Sequence, residues 1–396
     1  MPLPTPFHPR TLALCESLSI RDWAGFYAVS SYETHHEHEY NAIRQAAALI
    51  DVTPLFKYIV SGPDATRLVD RVITRDATRV QVGQVIYAVW CDEDGAVIDD
   101  GTLTRVEENR WRWTAADPTF RWLQRNALGL DVRIEDVTEH TAALAVQGPT
   151  AASVLRAIGV EEIGELPYYR ATSSTIAGVS VDISRTGYTG DLGYEIWLPW
   201  DAALVVWDTL MTSGGAFGLR PAGMLALDVA RIEAGLLLAD VDYHSSRKAL
   251  TPAQRYTPFE LGLGRLVHRD KGPFVGRTTL VRAGQPARQI VGLEIMWDEV
   301  EHLYAKAGLP PQVPSIASRV AVPVYRGGRQ IGRATSTAWS PILKRLIALA
   351  TIDAPFHAPS TRVEIEVTVE AVRHRVSARV VETPFFRPPR KTRTPP

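Results

Sequence analysis

The stretch Ser184-Arg185-Thr186-Gly187-Tyr188-Thr189-Gly190-Asp191-Leu192-Gly193-Tyr194-Glu195-Ile196-Trp197-Leu198 decides how the rest of the chain is read. A β-rich run (Val179, Val181, Ile183) enters it and an alternating run (Tyr194, Ile196, Leu198) leaves it. Glycines packed this closely let a backbone take positive φ and approach a neighbour or ligand. The local reading is a strand, a tight glycine loop, and a second strand carrying Glu195 between aromatics. Taken alone, that pattern fits a hairpin turn as well as a ligand cradle.

Composition narrows the classes. At 396 residues the chain exceeds one ordinary core and is expected to form two or three domains. A formal net charge of −1 gives no basic field for nucleic acid. Cys15 and Cys91 have no metal-binding spacing, which points to a reducing compartment. No apolar run approaches the roughly 20 residues that span a bilayer. The start, Met1-Pro2-Leu3-Pro4, lacks a basic segment followed by an apolar core, so a cytoplasmic location is expected.

The run from Ser184 resembles the S-R-T-G-Y-T-G-E-x-G-[FY]-E-I signature of the glycine cleavage T-protein (aminomethyltransferase) family, whose superfamily includes folate-dependent demethylases. The resemblance implies tetrahydrofolate as co-substrate, with Glu195 gripping the pterin and Tyr188 beside it. The chemistry suits the role, since a carboxylate accepts two parallel N–H bonds from a 2-amino-pyrimidinone edge. Ala96-Val97-Ile98-Asp99-Asp100-Gly101 resembles the family's G-G-[IV]-x-D-D hairpin and assigns Asp100 the catalytic carboxylate, with Tyr87 on the facing strand. Adjacent strand residues face opposite ways, so Asp99 is expected to be a surface carboxylate. Tyr169, with Tyr168 as alternative, matches an aromatic of the folate site. Arg231 matches the family's L-R-L-E-A-G, and Arg373 or Arg375 is the candidate for the folate tail.

Departures from the family matter for the donor. Thr53-Pro54 replaces the usual Ser-His pair, and Leu227 replaces a planar, five-donor arginine. The segment Asp240-Val241-Asp242-Tyr243-His244 is more aromatic than usual, making Tyr243 and His244 candidates for substrate recognition. The cluster His35–Glu39 has no H-E-x-x-H order and reads as a polar helix start, with no metal expected.

The implied fold is α+β: a three-domain cloverleaf of the aminomethyltransferase type with a C-terminal antiparallel β-barrel and a central folate cavity. The expected division is 1–50 with 141–228, 51–140 with 229–283 as an inserted folate-binding unit, and 284–386 as the barrel. Residues 387–396 are Pro-rich and basic and read as disordered. The expected function is transfer of a methyl or aminomethyl unit from a small methylated donor to N5 of tetrahydrofolate. The alternatives are an aminomethyltransferase fed by a lipoyl carrier protein, and a non-catalytic folate-binding regulator.

Overall fold

A computed structural model describes residues 1–395. Three β assemblies carry the chain. In spatial order, the first sheet holds Ala171–Ile176, Val179–Ser184, Gly193–Pro199, Thr141–Gln147, Ala47–Asp51 and Leu219–Pro221. Its last strand pairs in parallel; the other neighbours are antiparallel. The second sheet, all antiparallel, holds Val85–Cys91, Val97–Glu107, Arg110–Ala115, Phe56–Ser61 and Arg133–Asp136. The third is a closed antiparallel barrel of Arg288–Ile295, Arg345–Asp353, Arg329–Ser340, Val322–Arg326, Arg362–Val369 and Val372–Val381. Closure removes the unpaired edges that a six-stranded open sheet would expose.

The physical logic of each sheet is alternation. In Thr141–Gln147, small and branched residues fill both faces and all but Thr141 are buried, as a central strand between two layers requires. An apolar cluster joins the parts: Ile50, Ala145, Val89, Val97, Leu261, Ile290 and Leu349 belong to one continuous core. The helix Met224–Glu233 runs through this junction, packing on the strands Phe26–Ser31 and Arg329–Ser340 and on the helix Glu37–Gln45.

The first fifty residues hold strands as well as helices. Ser19–Trp23 and Phe26–Ser31 form a hairpin around Gly25, whose φ of +85° suits glycine. Asp64 stands at the start of the helix Ala65–Val72, but its Oδ2 accepts from the Asp131 amide at 3.0 Å instead of capping that helix. Residues 387–395 carry polar contacts to the rest of the chain. Arg390 pairs with Asp191 at 2.6 Å and donates to the Arg44 carbonyl, while Arg185 donates to the Arg393 carbonyl. Composition suggested disorder because the tail has little apolar surface; ion pairs and backbone acceptors hold it instead.

Lys57 ties together the two crossings between the first and second sheets. Fully buried, its Nζ donates to the carbonyls of Thr53 (2.7 Å), Leu55 (2.8 Å) and Thr138 (3.2 Å). Lys57→Met keeps the apolar stem and orphans three carbonyls. It is expected to lower stability by about 3 kcal/mol, read as a shift in the denaturant midpoint at constant slope.

Candidate functional site

The glycine loop is shaped by a residue forty positions upstream. Gln147 is completely buried under it. Its Nε2 donates to the carbonyls of Thr186 (3.2 Å) and Tyr194 (3.4 Å), and its Oε1 accepts from Thr189 Oγ1 at 2.8 Å. A Cβ at Gly187 would lie 2.0 Å from Gln147 Oε1, and one at Gly193 would lie 2.2 Å from it. Gly190 has φ +73° and abuts Ala234, so the third glycine answers to backbone conformation as well as space. Gly187→Ala should therefore displace the amide and cost roughly 1–3 kcal/mol in thermal or chemical unfolding. If Gly187→Ala is as stable as wild type, Gln147 does not wedge the loop.

The loop delivers Glu195 into the strand Gly193–Pro199, opposite Ser184. Glu195 Oε2 accepts from Thr186 Oγ1, which is itself 2.9 Å from Ser184 Oγ. Among the described residues, Oε1 accepts from no protein group. Burial pushes the Glu195 carboxyl above its ordinary range, opposed by Thr186 and the positive charge of Arg112.

Asp100 sits on the hairpin strand Val97–Glu107, opposite Val89. Tyr87 Oη donates to its Oδ2 at 2.7 Å and Tyr243 Oη donates to its Oδ1. Burial raises the Asp100 carboxyl, and the two phenol donors act against that rise. Both phenols are pushed well up, by burial first and then by the Asp100 charge. Tyr87 is within electrostatic reach of Tyr188 and Tyr169, and Tyr169 of Glu195. Asp100, Glu195, Tyr87, Tyr169 and Tyr188 are half-buried, so each keeps some accessible surface.

Asp99 is not the surface carboxylate expected. It is 1 % exposed; its Oδ2 accepts from the amides of Ala116 and Asp117, both at 3.0 Å, and Oδ1 from the Asp100 amide at 2.8 Å. Tyr243 Oη is 3.4 Å from the same Oδ1. Burial and the adjacent Asp100 charge hold the Asp99 carboxyl well above the usual carboxylate range. The strand register shifts beside it, between Trp90 and Cys91, so the hairpin is bulged where the carboxylates begin.

Tyr243 thus reaches the site, but as a partner of Asp100. His244 does not: its Nδ1 is 4.0 Å from Asp240 and its side chain is partly exposed. Arg231 is spent on structure. It is fully buried, donating to Asp242 (2.6 Å), Ser336 Oγ (2.8 Å) and the Leu236 carbonyl, with Asp228 at 3.4 Å. Arg373 lies on the exposed end of the barrel, 3.5 Å from Glu366, and Arg375 stacks on Tyr325; neither touches the cavity residues. Tyr188 is half-buried and donates to the Leu237 carbonyl, and Tyr168 and Tyr169 pack edge-to-face at 4.5 Å. Among the described residues, no group of His, Cys, Asp and Glu side chains could hold a metal ion, and no helix is long and apolar enough to cross a membrane.

Sequence reasoning missed two buried residues that pack against the glycine loop and the strand carrying Glu195. Gln147 ends the strand Thr141–Gln147 and carries no motif of its own. Arg112 was unremarkable in sequence, yet it is 5 % exposed, bonded to Asp182 at 2.7 Å and stacked on Trp197. Two facing glycines across the chain are the signal that could have found Gln147; nothing local marks Arg112.

Comparison with known proteins agrees with this layout. The GCVT N-terminal domain model matches residues 12–271 and the glycine cleavage T-protein C-terminal barrel domain model matches 307–387. The chain is 36 % identical over 359 residues to an aminomethyltransferase of Moorella thermoacetica, covering 89 % of this chain and 90 % of that protein. It is 34 % identical over 405 residues to a trimethylamine-oxide aldolase of Ruegeria pomeroyi, covering 98 % of this chain but 47 % of that longer protein. The glycine cleavage system aminomethyltransferase T from Bartonella henselae shares its fold, with a TM-score of 0.82 at 24 % identity over 98 % of this chain and 99 % of that one. With both domain models matched and its three-part layout reproduced, the chain belongs to the glycine cleavage T-protein family, whose members are transferases that use tetrahydrofolate as co-substrate.

Proposed function

We propose that this protein moves a one-carbon unit from a small methylated donor to tetrahydrofolate. The residues present fit the folate: Glu195 offers an open carboxylate oxygen, and Tyr87, Tyr169 and Tyr188 supply flat apolar walls for a heterocycle rich in N–H. Bound tetrahydrofolate supplies a nucleophilic N5 that accepts the one-carbon unit. Glu195 fixes the ring orientation, and Asp100 places negative charge where a cation develops on the donor. We read the chain as three units, 1–50 with 141–228, 51–140 with 229–283, and 284–386, because the strands divide among the sheets along those lines.

The observation that carries the donor reading is the Tyr243–Asp100 contact. A methyl group leaving nitrogen, oxygen or sulfur needs its leaving atom activated. Tyr243 Oη, shared between Asp100 and Asp99, is a group able to hold a proton there. Leu227, where the family carries arginine, removes a planar cation beside the site. The trimethylamine-oxide aldolase relative supports a methylated amine among the candidate donors.

A second reading, an aminomethyltransferase fed by a lipoyl carrier, is favoured by the 36 % identity to an aminomethyltransferase over nearly its full length. The two separate in one experiment. Purified protein is incubated with tetrahydrofolate and a panel of methylated amines, including trimethylamine N-oxide, with ethers and sulfonium compounds. A parallel reaction receives an aminomethylated lipoyl carrier, and the folate products are weighed by mass spectrometry. Product from a small donor supports the first reading, and product from the carrier alone supports the second. Folate binding without turnover in any arm leaves a regulatory binder.

A further inference from the structure

Behind the carboxylate hairpin lies a depression of about 320 Å³, lined by Ile98, Trp122, Ser246 and the arginines 121, 125 and 247, with Asp92 and Glu93 at its side. Ile98 immediately precedes Asp99 and Ser246 follows Tyr243 by three residues, so its walls continue the elements that build the cavity. Two lining side chains, Trp122 (6 % exposed) and Ser246, hold buried polar atoms, Nε1 and Oγ, with no hydrogen-bond partner. Such groups are costly to leave unpaired.

The charges are unbalanced in one direction. Asp92 is committed to Arg255 at 2.6 Å and Glu93 to Arg125 at 2.6 Å. Arg121 and Arg247 are exposed and have no ion pair among the described residues. Arg125 also lies over the Trp122 ring, 5.4 Å from its centroid. Free guanidinium groups, two unpaired polar atoms and an apolar floor of Trp122 and Ile98 describe a receptor for an anion with an apolar body.

We propose that this depression binds a small organic carboxylate, at a site distinct from the folate cavity and independent of the folate reading. A carboxylate there would join three segments: the helix Phe120–Asn126, the hairpin at Ile98, and the loop at Ser246–Arg247. That loop is already tied to the hairpin by the Ser246 amide, which donates to the Val97 carbonyl at 2.7 Å. Occupancy therefore adds a further fastening between the segment carrying Tyr243 and the strand carrying Asp100, beside the Ser246 amide and the Tyr243 hydroxyl.

The test is calorimetric titration of butyrate, with inorganic phosphate as the competing anion chemistry, into wild type, Arg121→Ala, Arg247→Ala and Glu195→Ala proteins. Wild type is expected to bind butyrate with a Kd of about 1 mM or tighter, and more tightly than phosphate. Each arginine variant should lose roughly tenfold in affinity, the worth of one charge-assisted bond, with an unchanged unfolding midpoint. Glu195→Ala should bind butyrate as wild type does, and the Trp122 indole N–H resonance, assigned with Trp122→Phe, should shift on titration. Absence of butyrate binding, tighter binding of phosphate, or equal affinity in the arginine variants overturns the proposal. Loss of butyrate binding in Glu195→Ala also overturns it, by placing the ligand in the central cavity.

Discussion

Asp100→Asn is expected to lower kcat by about 10²- to 10⁴-fold while leaving tetrahydrofolate affinity within a few-fold of wild type. The amide keeps the size and can still accept from Tyr87, but it removes the charge aimed at the reacting centre. Neutralising a charge in a site set deep within the molecule removes an interaction felt most strongly as the donor develops positive charge. The pH profile gives a second readout. Burial raises the carboxyl of Asp100 and, with the adjacent Asp100 charge, that of Asp99. The acidic limb of kcat/KM should therefore have its midpoint above the ordinary carboxylate range, and its value belongs to the pair. Rate rises with pH through that midpoint because the ionised Asp100 is the active form. Full activity in Asp100→Asn would remove this residue from the chemistry, and folate binding lost with the rate would make its role one of ligand retention.

Glu195→Ala should have the opposite signature: tetrahydrofolate binding weakened by about 100-fold or more in titration, with the fold intact. Two charge-assisted N–H bonds to one carboxylate are worth roughly 3 kcal/mol together once the site is closed to water. Thr186 would lose its acceptor but keep Ser184 Oγ at 2.9 Å, so the loop has a fallback partner. Glu195→Gln is the sharper probe, because it preserves shape while presenting a donor to a ring edge that also donates. If both variants bind tetrahydrofolate as tightly as wild type, the pterin clamp lies elsewhere.

Legibility from sequence followed the length of the contact. The glycine loop, the hairpin with Asp100 and the barrel strands are local patterns, and each was readable from turn residues and alternation. The contact between Tyr243 and Asp100 spans 143 positions, and nothing in either neighbourhood announces it. Residue type misled where one chemistry serves two purposes. An arginine near a site suits ligand binding, yet Arg231 is consumed by Asp242, Ser336 and the Leu236 carbonyl. Asp99 failed through geometry: strand alternation predicts which face a carboxylate leaves from, but amides at Ala116 and Asp117 decide where it ends. The tail was misread because ion pairing with Asp191 has no compositional signature.

The Gln147 wedge bears on how such a chain can change over generations. The amide fills the volume that side chains at Gly187 and Gly193 would need, so the three positions make one unit of inheritance. A lineage that first shortens residue 147 opens room beneath the loop, and only then do both glycines become free to vary. Either order passes through a destabilised intermediate, because shortening Gln147 first leaves the Thr186 and Tyr194 carbonyls and the Thr189 hydroxyl without their partner. Substitutions here should therefore be coupled, and a Gln147→Ala background is where alanine at position 187 ought to add least further cost.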